Sequence, residues 1–120
     1  MILADTSVWI AHFRAPHPKL QRILIGNQLV THPFVVGELA CGNLPRRSEA
    51  LKFLRLLPSV PLASNDEVLD LIEHRPLWGK GIGWTDAHLL ASALLTGCGI
   101  WTRDIRLHSS AVHMGLAEIE

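Results

Sequence analysis

Apolar residues follow two patterns along the chain, namely short continuous runs and longer stretches with helical spacing. Short runs predict buried strands, and recurrence at intervals of three and four residues predicts helices. The runs that predict strands lie at 2–4, 28–30, 60–62, 99–102 and 116–119. The helical patterns cover 8–13, 18–25, 33–40, 46–57, 65–74, 85–96 and a short stretch near Leu107. Strands and helices therefore alternate along the chain.

Residue types at the ends of these stretches predict where helices begin and where strands are weak. Thr6 and Ser7 can cap the first helix, and Ser64 can cap the fifth. Pro33 suits the first turn of the third helix. The run at 60–62 contains a proline and follows another, so it predicts only a brief edge strand.

The alternation predicts an α/β fold, with three layers (α/β/α) around a central, mainly parallel sheet. Parallel strands need crossover connections, and helices in those connections cover both faces of the sheet. The 120 residues suit a single domain spanning 1–120. In sheets of this kind, ligands bind beyond the C-terminal ends of the strands.

Three acidic residues are expected at that edge of the sheet, and a fourth could join them. Asp5 ends the first strand, Asp104 follows the strand at 99–102, and Asp86 lies in the first turn of its helix. Taken singly, Asp86 and Asp104 could be helix caps. Glu38 interrupts an apolar helix, where its charge is expected to be partly buried and to need a partner.

Several carboxylates in one place require a compensating cation, because each pair within about 4 Å repels by roughly 4 kcal/mol at an effective dielectric of 20. Oxygen ligands without a histidine or cysteine cluster favour Mg²⁺, or Mn²⁺, over zinc. Such an ion polarises a phosphoryl oxygen and lowers the pKa of bound water. The predicted chemistry is hydrolysis of phosphodiester bonds.

The segments that carry these acids resemble PIN-domain nucleases, and more narrowly the VapC-type toxins of bacterial toxin–antitoxin pairs. They are Leu3-Ala4-Asp5-Thr6-Ser7-Val8-Trp9-Ile10, the isolated Glu38, the stretch from Gly83 to Ala93, and Trp101-Thr102-Arg103-Asp104. The resemblance runs from Ile2 to about Leu107. It implies a metal-binding quartet, composed of Asp5, Glu38, Asp86 and Asp104. It also implies that hydroxyls orient a carboxylate or a bound water at Thr6, Ser7 and Thr102.

The same resemblance implies a magnesium-dependent endoribonuclease, a homodimer and an inhibitory VapB-type antitoxin. Four apolar residues of the early helices could supply the dimer contact, namely Ile23, Leu24, Val35 and Leu39. The alternative is a non-catalytic PIN-like domain that binds RNA or protein. The intact quartet favours the enzyme.

The charge balance leaves RNA binding to local patches. Eleven basic and eleven acidic residues give zero net charge, whereas nucleic-acid binders are often strongly basic. Candidate contacts to RNA are Arg14, Lys80, Arg103 and Arg106. Lys80 lies in a glycine-rich loop at 78–84 that lacks the Walker and Gly-x-Gly-x-x-Gly patterns, so it predicts a mobile rim or an ordinary connection.

The remaining residue types predict little further chemistry. Cys41 and Cys98 are expected to be reduced core residues. Core positions are also expected for Trp9, Trp84 and Trp101, whereas Trp78 is expected to be exposed. The seven histidines show no metal-ligand spacing. An apolar run of about 20 residues and a secretion signal are both lacking, so a cytoplasmic protein with no membrane contact is expected.

Overall fold

A three-stranded parallel sheet forms the centre of the fold in a computed structural model that describes residues 1–118. Its strands, in the spatial order β2-β1-β3, are β1 (Ile2–Ala4), β2 (Leu29–Val30) and β3 (Gly99–Trp101). Leu3 of β1 is in register with Val30 on one side and Ile100 on the other. Because the strands are parallel, their C-terminal ends share one edge of the sheet.

Helices connect and flank the strands within the described part of the chain. They are α1 (Thr6–Arg14), α2 (Pro18–Ile25), α3 (Pro33–Cys41), α4 (Arg47–Leu56), α5 (Asn65–His74), α6 (Trp84–Thr96) and α7 (Ile105–His113). Helix α1 packs on α3, which packs on α4, and α5 packs on α6. Both α6 and α7 contact β3, whereas α2 contacts β2. The predicted α/β fold with a central parallel sheet is confirmed.

The sheet is buried, as expected for parallel strands covered by helices. Leu3, Ile100 and Trp101 are fully buried within the largest apolar cluster. Trp9 of α1 joins this core and stacks on Phe13, with 5.6 Å between ring centroids. The strands that precede Asp5 and Asp104 are therefore packed within the apolar core.

The predicted strand at 60–62 is wrong. A single parallel bridge joins Thr31 to Ser59, and Thr31 exchanges backbone hydrogen bonds of 2.9 Å with Pro58 and Val60. Pro61 cannot donate to a ladder, and Leu62 is half exposed. This edge of the sheet therefore extends by one bridge only.

The predicted strand at 116–119 is also reduced to one bridge. Ile100 pairs with Ala117, donating to the carbonyl of Leu116 (2.6 Å) and accepting from the amide of Glu118 (2.8 Å). Residue 119 lies outside the described residues. The segment covers the outer edge of β3 without forming a longer strand.

Three helix caps bear on the site. Asp5, and not Thr6 or Ser7, caps α1, because its carboxylate accepts from the backbone N–H of Val8 at 3.3 Å. Asp104 caps α7 through the N–H groups of Arg106 and Leu107. The predicted cap at Ser64 is confirmed by reciprocal hydrogen bonds with Glu67.

A buried histidine ties α3, which carries Glu38, to α6, which carries Asp86. His32 Nδ1 accepts from the N–H of Phe34 at 2.9 Å, and its Nε2 lies 3.2 Å from Ser92 Oγ. Since the Ser92 hydroxyl donates to the carbonyl of Pro61, Nε2 must carry the proton. Burial, and secondarily the nearby His88, lower the pKa of His32 to about 4.

Several burial predictions need correction. Cys98 is buried as expected, but Cys41 is exposed at the end of α3. Val35 and Leu39 are buried in the protein's own core and cannot supply a dimer contact. In the part of the chain described, no helix combines the length and apolarity that crossing a membrane requires.

Candidate active site

Asp5 is the most firmly held of the four acids. It follows β1 directly, is 6% exposed, and its N–H donates to the carbonyl of Trp101 in β3 at 3.0 Å. Its carboxylate accepts from the hydroxyls of Ser7 and Thr102, each at 2.5 Å, as well as from the Val8 N–H. Three donors thus fix both oxygens of this carboxylate.

The two hydroxyls on Asp5 are themselves oriented by the turn between β3 and α7. Ser7 Oγ accepts from the N–H of Arg103 at 2.9 Å, and Thr102 Oγ1 accepts from the N–H of Asp104 at 3.0 Å. Each hydroxyl has one proton, which goes to Asp5. Backbone amides after β3 therefore set the position of a carboxylate after β1, as predicted for hydroxyls at these positions.

Asp104 lies on the same turn and faces solvent more than Asp5 does. Its Oδ1 accepts from the N–H groups of Arg106 at 2.8 Å and Leu107 at 3.2 Å. The cap fixes one oxygen, and the other has no hydrogen-bond donor among the described residues. Asp104 is thus both a helix cap and an available ligand, so the two interpretations do not exclude each other.

Asp86 lies at the start of α6, where its Oδ2 accepts from the N–H of Gly83 at 3.2 Å. Its pKa is raised, first by burial and then by the negative charges of Asp104, Asp5 and Glu38, while the Gly83 hydrogen bond opposes the rise. The structure therefore brings Asp5, Glu38 and Asp104 within electrostatic range of Asp86. The four acids come from four separate segments of the chain.

Glu38 is exposed, and the expectation that it is partly buried is wrong. It is on the outer face of α3, whereas its neighbour Leu39 is buried. Its Oε1 accepts from the hydroxyl of Thr6 at 2.9 Å, which links α3 to the start of α1. The predicted hydroxyl at Thr6 thus orients Glu38 and not Asp5.

The donor set fits a hard divalent cation. Within residues 1–118, no group of three or more His, Cys, Asp or Glu side chains lies close enough together to hold a metal ion directly. Mg²⁺ needs fewer protein ligands than this, because it keeps several waters and usually binds one or two carboxylates together with substrate phosphates. Burial is the main cause of the raised pKa of Asp86, and a bound cation would relieve the further repulsion by Asp104, Asp5 and Glu38.

The candidate RNA contacts flank the acids on two sides. Arg14 and Glu38 line one cavity, of about 140 Å³. Lys80 and Arg106 line another, of about 480 Å³, on the side of α7. Arg103 is exposed on the turn before Asp104.

The second cavity includes an arginine and a histidine that the sequence interpretation missed, Arg75 and His113. Arg75 follows α5 and His113 ends α7. No spacing in the sequence relates them, because only the packing of the loop after α5 against α7 brings them together.

The burial of one of the four tryptophans differs from the prediction. Trp9 and Trp101 are fully buried and Trp78 is 60% exposed, as expected. Trp84, predicted to be a core residue, is 43% exposed and contacts His88 edge-on, with 4.7 Å between centroids. It begins α6 two residues before Asp86, where the helix end leaves one side of the ring open.

The fold and the acidic edge together define a PIN domain, and the comparisons with known proteins agree: the PIN domain family matches residues 2–112, and the chain belongs to this family. It is 45% identical to Ribonuclease VapC32 of Mycobacterium tuberculosis, found in two strains, over all of this chain and 98% of that protein. The crystal structure of PAE2754 from Pyrobaculum aerophilum is similar in fold. Its TM-score is 0.62 at 19% identity, over 91% of this chain and 78% of that one.

Proposed function

We propose that this protein is a magnesium-dependent endoribonuclease, with manganese as a substitute, and the toxin of a toxin–antitoxin pair. The observation that carries the proposal is the convergence of four carboxylates, since the charges of Asp104, Asp5 and Glu38 all act on Asp86. The relative named Ribonuclease VapC32, similar over its whole length, supports the reaction class. PIN family membership supports the placement of the site.

The proposed roles follow from how firmly each acid is held. Asp5, with three donors, is the fixed reference of the site, and Ser7 and Thr102 keep it oriented. Asp86, Asp104 and Glu38 are partly or fully exposed and complete the ligand set. A divalent cation bound there polarises a phosphoryl oxygen and makes a water molecule a better nucleophile. Arg14, Lys80, Arg103 and Arg106 would hold phosphates of the RNA strand.

The test is cleavage of a labelled RNA by purified protein with Mg²⁺, with Mn²⁺ and with excess EDTA. Cleavage is expected with either metal, and it should stop in EDTA and return when Mg²⁺ is added. Asp104→Asn, which retains an oxygen for the α7 cap, provides an inactive control that excludes a contaminating nuclease. Undiminished cleavage in EDTA would contradict the metal-dependent mechanism.

The proposed partners are RNA, a second copy of this chain and a VapB-type antitoxin. With Val35 and Leu39 buried, a dimer contact must use exposed apolar side chains, which include Ile25, Leu56, Leu69, Leu94 and Leu95. Exposed apolar residues that lie together mark interaction sites. Light scattering at micromolar concentration should show twice the mass of the chain, and a monomer would contradict the dimer.

A further inference from the structure

A cavity of about 480 Å³ lies between α7 and the loop that follows α5. We name it the Arg75–Arg106 cavity after two of its lining residues. Its volume falls in the range typical of small-ligand sites. Ile105 and Arg106, which line it, directly follow Asp104 in the chain. The cavity therefore adjoins the start of the helix that Asp104 caps.

The Arg75–Arg106 cavity is cationic. Arg75, Lys80 and Arg106 line it, together with His113, and none of the acidic residues in the described part of the chain does. Within residues 1–118, the side chains of Arg75, Lys80 and Arg106 make neither an ion pair nor a hydrogen bond. Three uncompensated positive charges around one space favour an anionic ligand.

The position of Arg106 depends on a glycine in the loop. Gly81 has φ +78°, and a Cβ built there would collide with Cδ of Arg106 and lie 2.7 Å from its Nη1. The guanidinium therefore reaches from α7 across the backbone of the glycine-rich loop. The absence of a side chain at position 81 provides space for the Arg106 side chain.

The wall of the cavity is apolar. Leu77 is buried beneath it, Pro76 lies beside Leu77, and Ile105 is 84% exposed. An inorganic anion would use only the cationic rim. A nucleotide has both a charged phosphate and an apolar base and ribose, so it matches the rim and the wall together.

We infer that the Arg75–Arg106 cavity binds one nucleotide of the RNA strand, next to the bond that is cleaved. Its phosphate contacts Arg75, Lys80 and Arg106, and its base or ribose lies against Ile105 and Leu77. The inference rests on the proposed function for its choice of RNA. It adds Arg75, His113 and an apolar wall to the RNA contacts and assigns them to one nucleotide.

The experiment measures binding of a fluorescent single-stranded RNA by anisotropy at several salt concentrations. All proteins carry Asp86→Asn, so that the RNA stays intact. Adding Arg75→Ala or Arg106→Ala should weaken binding about 3- to 10-fold, and should reduce the slope of log affinity against log salt by about 0.7 for each lost phosphate contact. Arg22→Ala, which removes an exposed arginine of α2 outside the cavity, should change neither.

Three further variants separate charge from shape. Arg106→Lys should keep most of the salt slope, because it keeps the charge. Ile105→Ala should weaken binding at every salt concentration and leave the slope unchanged, because it removes apolar contact only. Gly81→Ala should mimic Arg106→Ala, because the new methyl group displaces the guanidinium. Thermal unfolding by circular dichroism verifies that each variant is folded. If Gly81→Ala does not fold, Arg106→Ala alone tests the contribution of the guanidinium.

The outcomes distinguish this inference from the proposed function. If Arg75→Ala and Arg106→Ala bind RNA as Arg22→Ala does, the cavity is not an RNA site, even if the wild-type protein cleaves RNA with Mg²⁺. If they lose binding to a poly-glutamate peptide instead, the cavity is a protein site and the inference is overturned. If RNA binding falls as expected but the wild-type protein cleaves nothing, the RNA site stands and the nuclease proposal fails.

Discussion

At the scale of single residues, the four acids differ in how the fold holds them, and this difference decides what a substitution does. Asp5 uses both carboxylate oxygens to accept hydrogen bonds from Ser7, Val8 and Thr102. Asp86 accepts one, from Gly83, and is repelled by its neighbours. Neutralising one is therefore not equivalent to neutralising the other.

Asp5→Asn should abolish activity and weaken the fold. Its amide NH₂ cannot accept a hydrogen bond, so one hydroxyl loses its acceptor, and stability should fall by about 1–2 kcal/mol. The cleavage rate should fall by at least about 10²-fold, the typical cost of removing one electrostatic contact in the transition state. Urea unfolding in EDTA and single-turnover cleavage measure the two effects. A metal-free variant as stable as the wild type would contradict the described hydrogen bonds.

Asp86→Asn should have the opposite effect on the metal-free fold. Because the folded-state pKa of Asp86 is raised, its charge costs stability above that pKa and costs nothing below the unfolded value of 3.8. In EDTA at pH 7 the variant should be more stable than the wild type, and the gain should vanish as the pH falls below 3.8. Asp70→Asn, on α5, is the matched surface control. A loss of stability at pH 7 would argue against clustered carboxylates.

The sequence allowed the acids to be predicted, but not all of their surroundings. Asp5 and Asp104 could be placed because each follows a strand and parallel strands end at one edge. The exposure of Glu38, Cys41 and Trp84 could not be predicted, because these residues lie in apolar segments whose outward face is decided by which neighbour packs there. Arg75 and His113 meet only through tertiary packing.

At the scale of elements, the buried His32 joins the start of α3 to the middle of α6. Its neutral ring is required, since Nδ1 accepts from Phe34 while Nε2–H is directed at Ser92. A proton on Nδ1 would break the cap of α3. The two helices that carry Glu38 and Asp86 therefore depend on an unprotonated side chain.

Stability should consequently fall in acid. The pKa of His32 is about 4 when folded and 6.5 when unfolded, so the unfolded chain binds the extra proton between these values. Stability is full above pH 6.5, and as the pH falls toward 4 the loss from this group should reach roughly 3 kcal/mol. Urea unfolding between pH 7 and 4.5 measures the loss. His88 lies beside His32 and adds a smaller effect of the same sign.

His32→Asn isolates the contribution of this residue. Asparagine is a good helix cap that does not titrate, so the variant should be less stable at pH 7 but should lose less stability in acid. His108→Asn, at a partly exposed position on α7, should keep the wild-type pH dependence. An unchanged pH dependence in His32→Asn would show that other groups cause it.

The elements were predicted better than the sheet edges. Helices with clear periodicity, such as α2, α4 and α5, form where the pattern placed them, with ends shifted by a residue or two at most where bounds were predicted. The runs at 60–62 and 116–119 form single bridges instead of strands. An edge strand has one partner only, so prolines and the path of the neighbouring loop outweigh its apolar pattern.

At the scale of the whole molecule, the acidic edge and the cationic cavity beside it give a neutral chain a local charge pattern suited to RNA and metal together. Without the metal, the edge is an anionic cleft. An arginine of an antitoxin could bridge two of its carboxylates bidentately. Inhibitor and metal would then compete for the same oxygens.

The complex with the antitoxin should therefore weaken as Mg²⁺ rises. Reciprocity of coupled binding requires that the metal reduce antitoxin affinity by the factor by which the antitoxin reduces metal affinity. Titration calorimetry at low and high Mg²⁺, at constant ionic strength, measures this. Asp86→Asn should weaken the complex and also reduce its dependence on Mg²⁺. An affinity independent of Mg²⁺, with metal occupancy verified, would exclude the competing arginine.

The hydrogen bond between Asp5 and Thr102 also has a consequence for folding while the chain is being synthesised. It joins residues 97 positions apart, and the strand before Asp5 lies in the middle of the sheet. During translation, β1 cannot pair with β3, one of its two partners, until the segment up to Trp101 has left the ribosome. Such distant pairing also slows folding. A chain that stops before Thr102 therefore lacks both Asp104 and the hydroxyl that fixes one oxygen of Asp5, so its acidic site is incomplete.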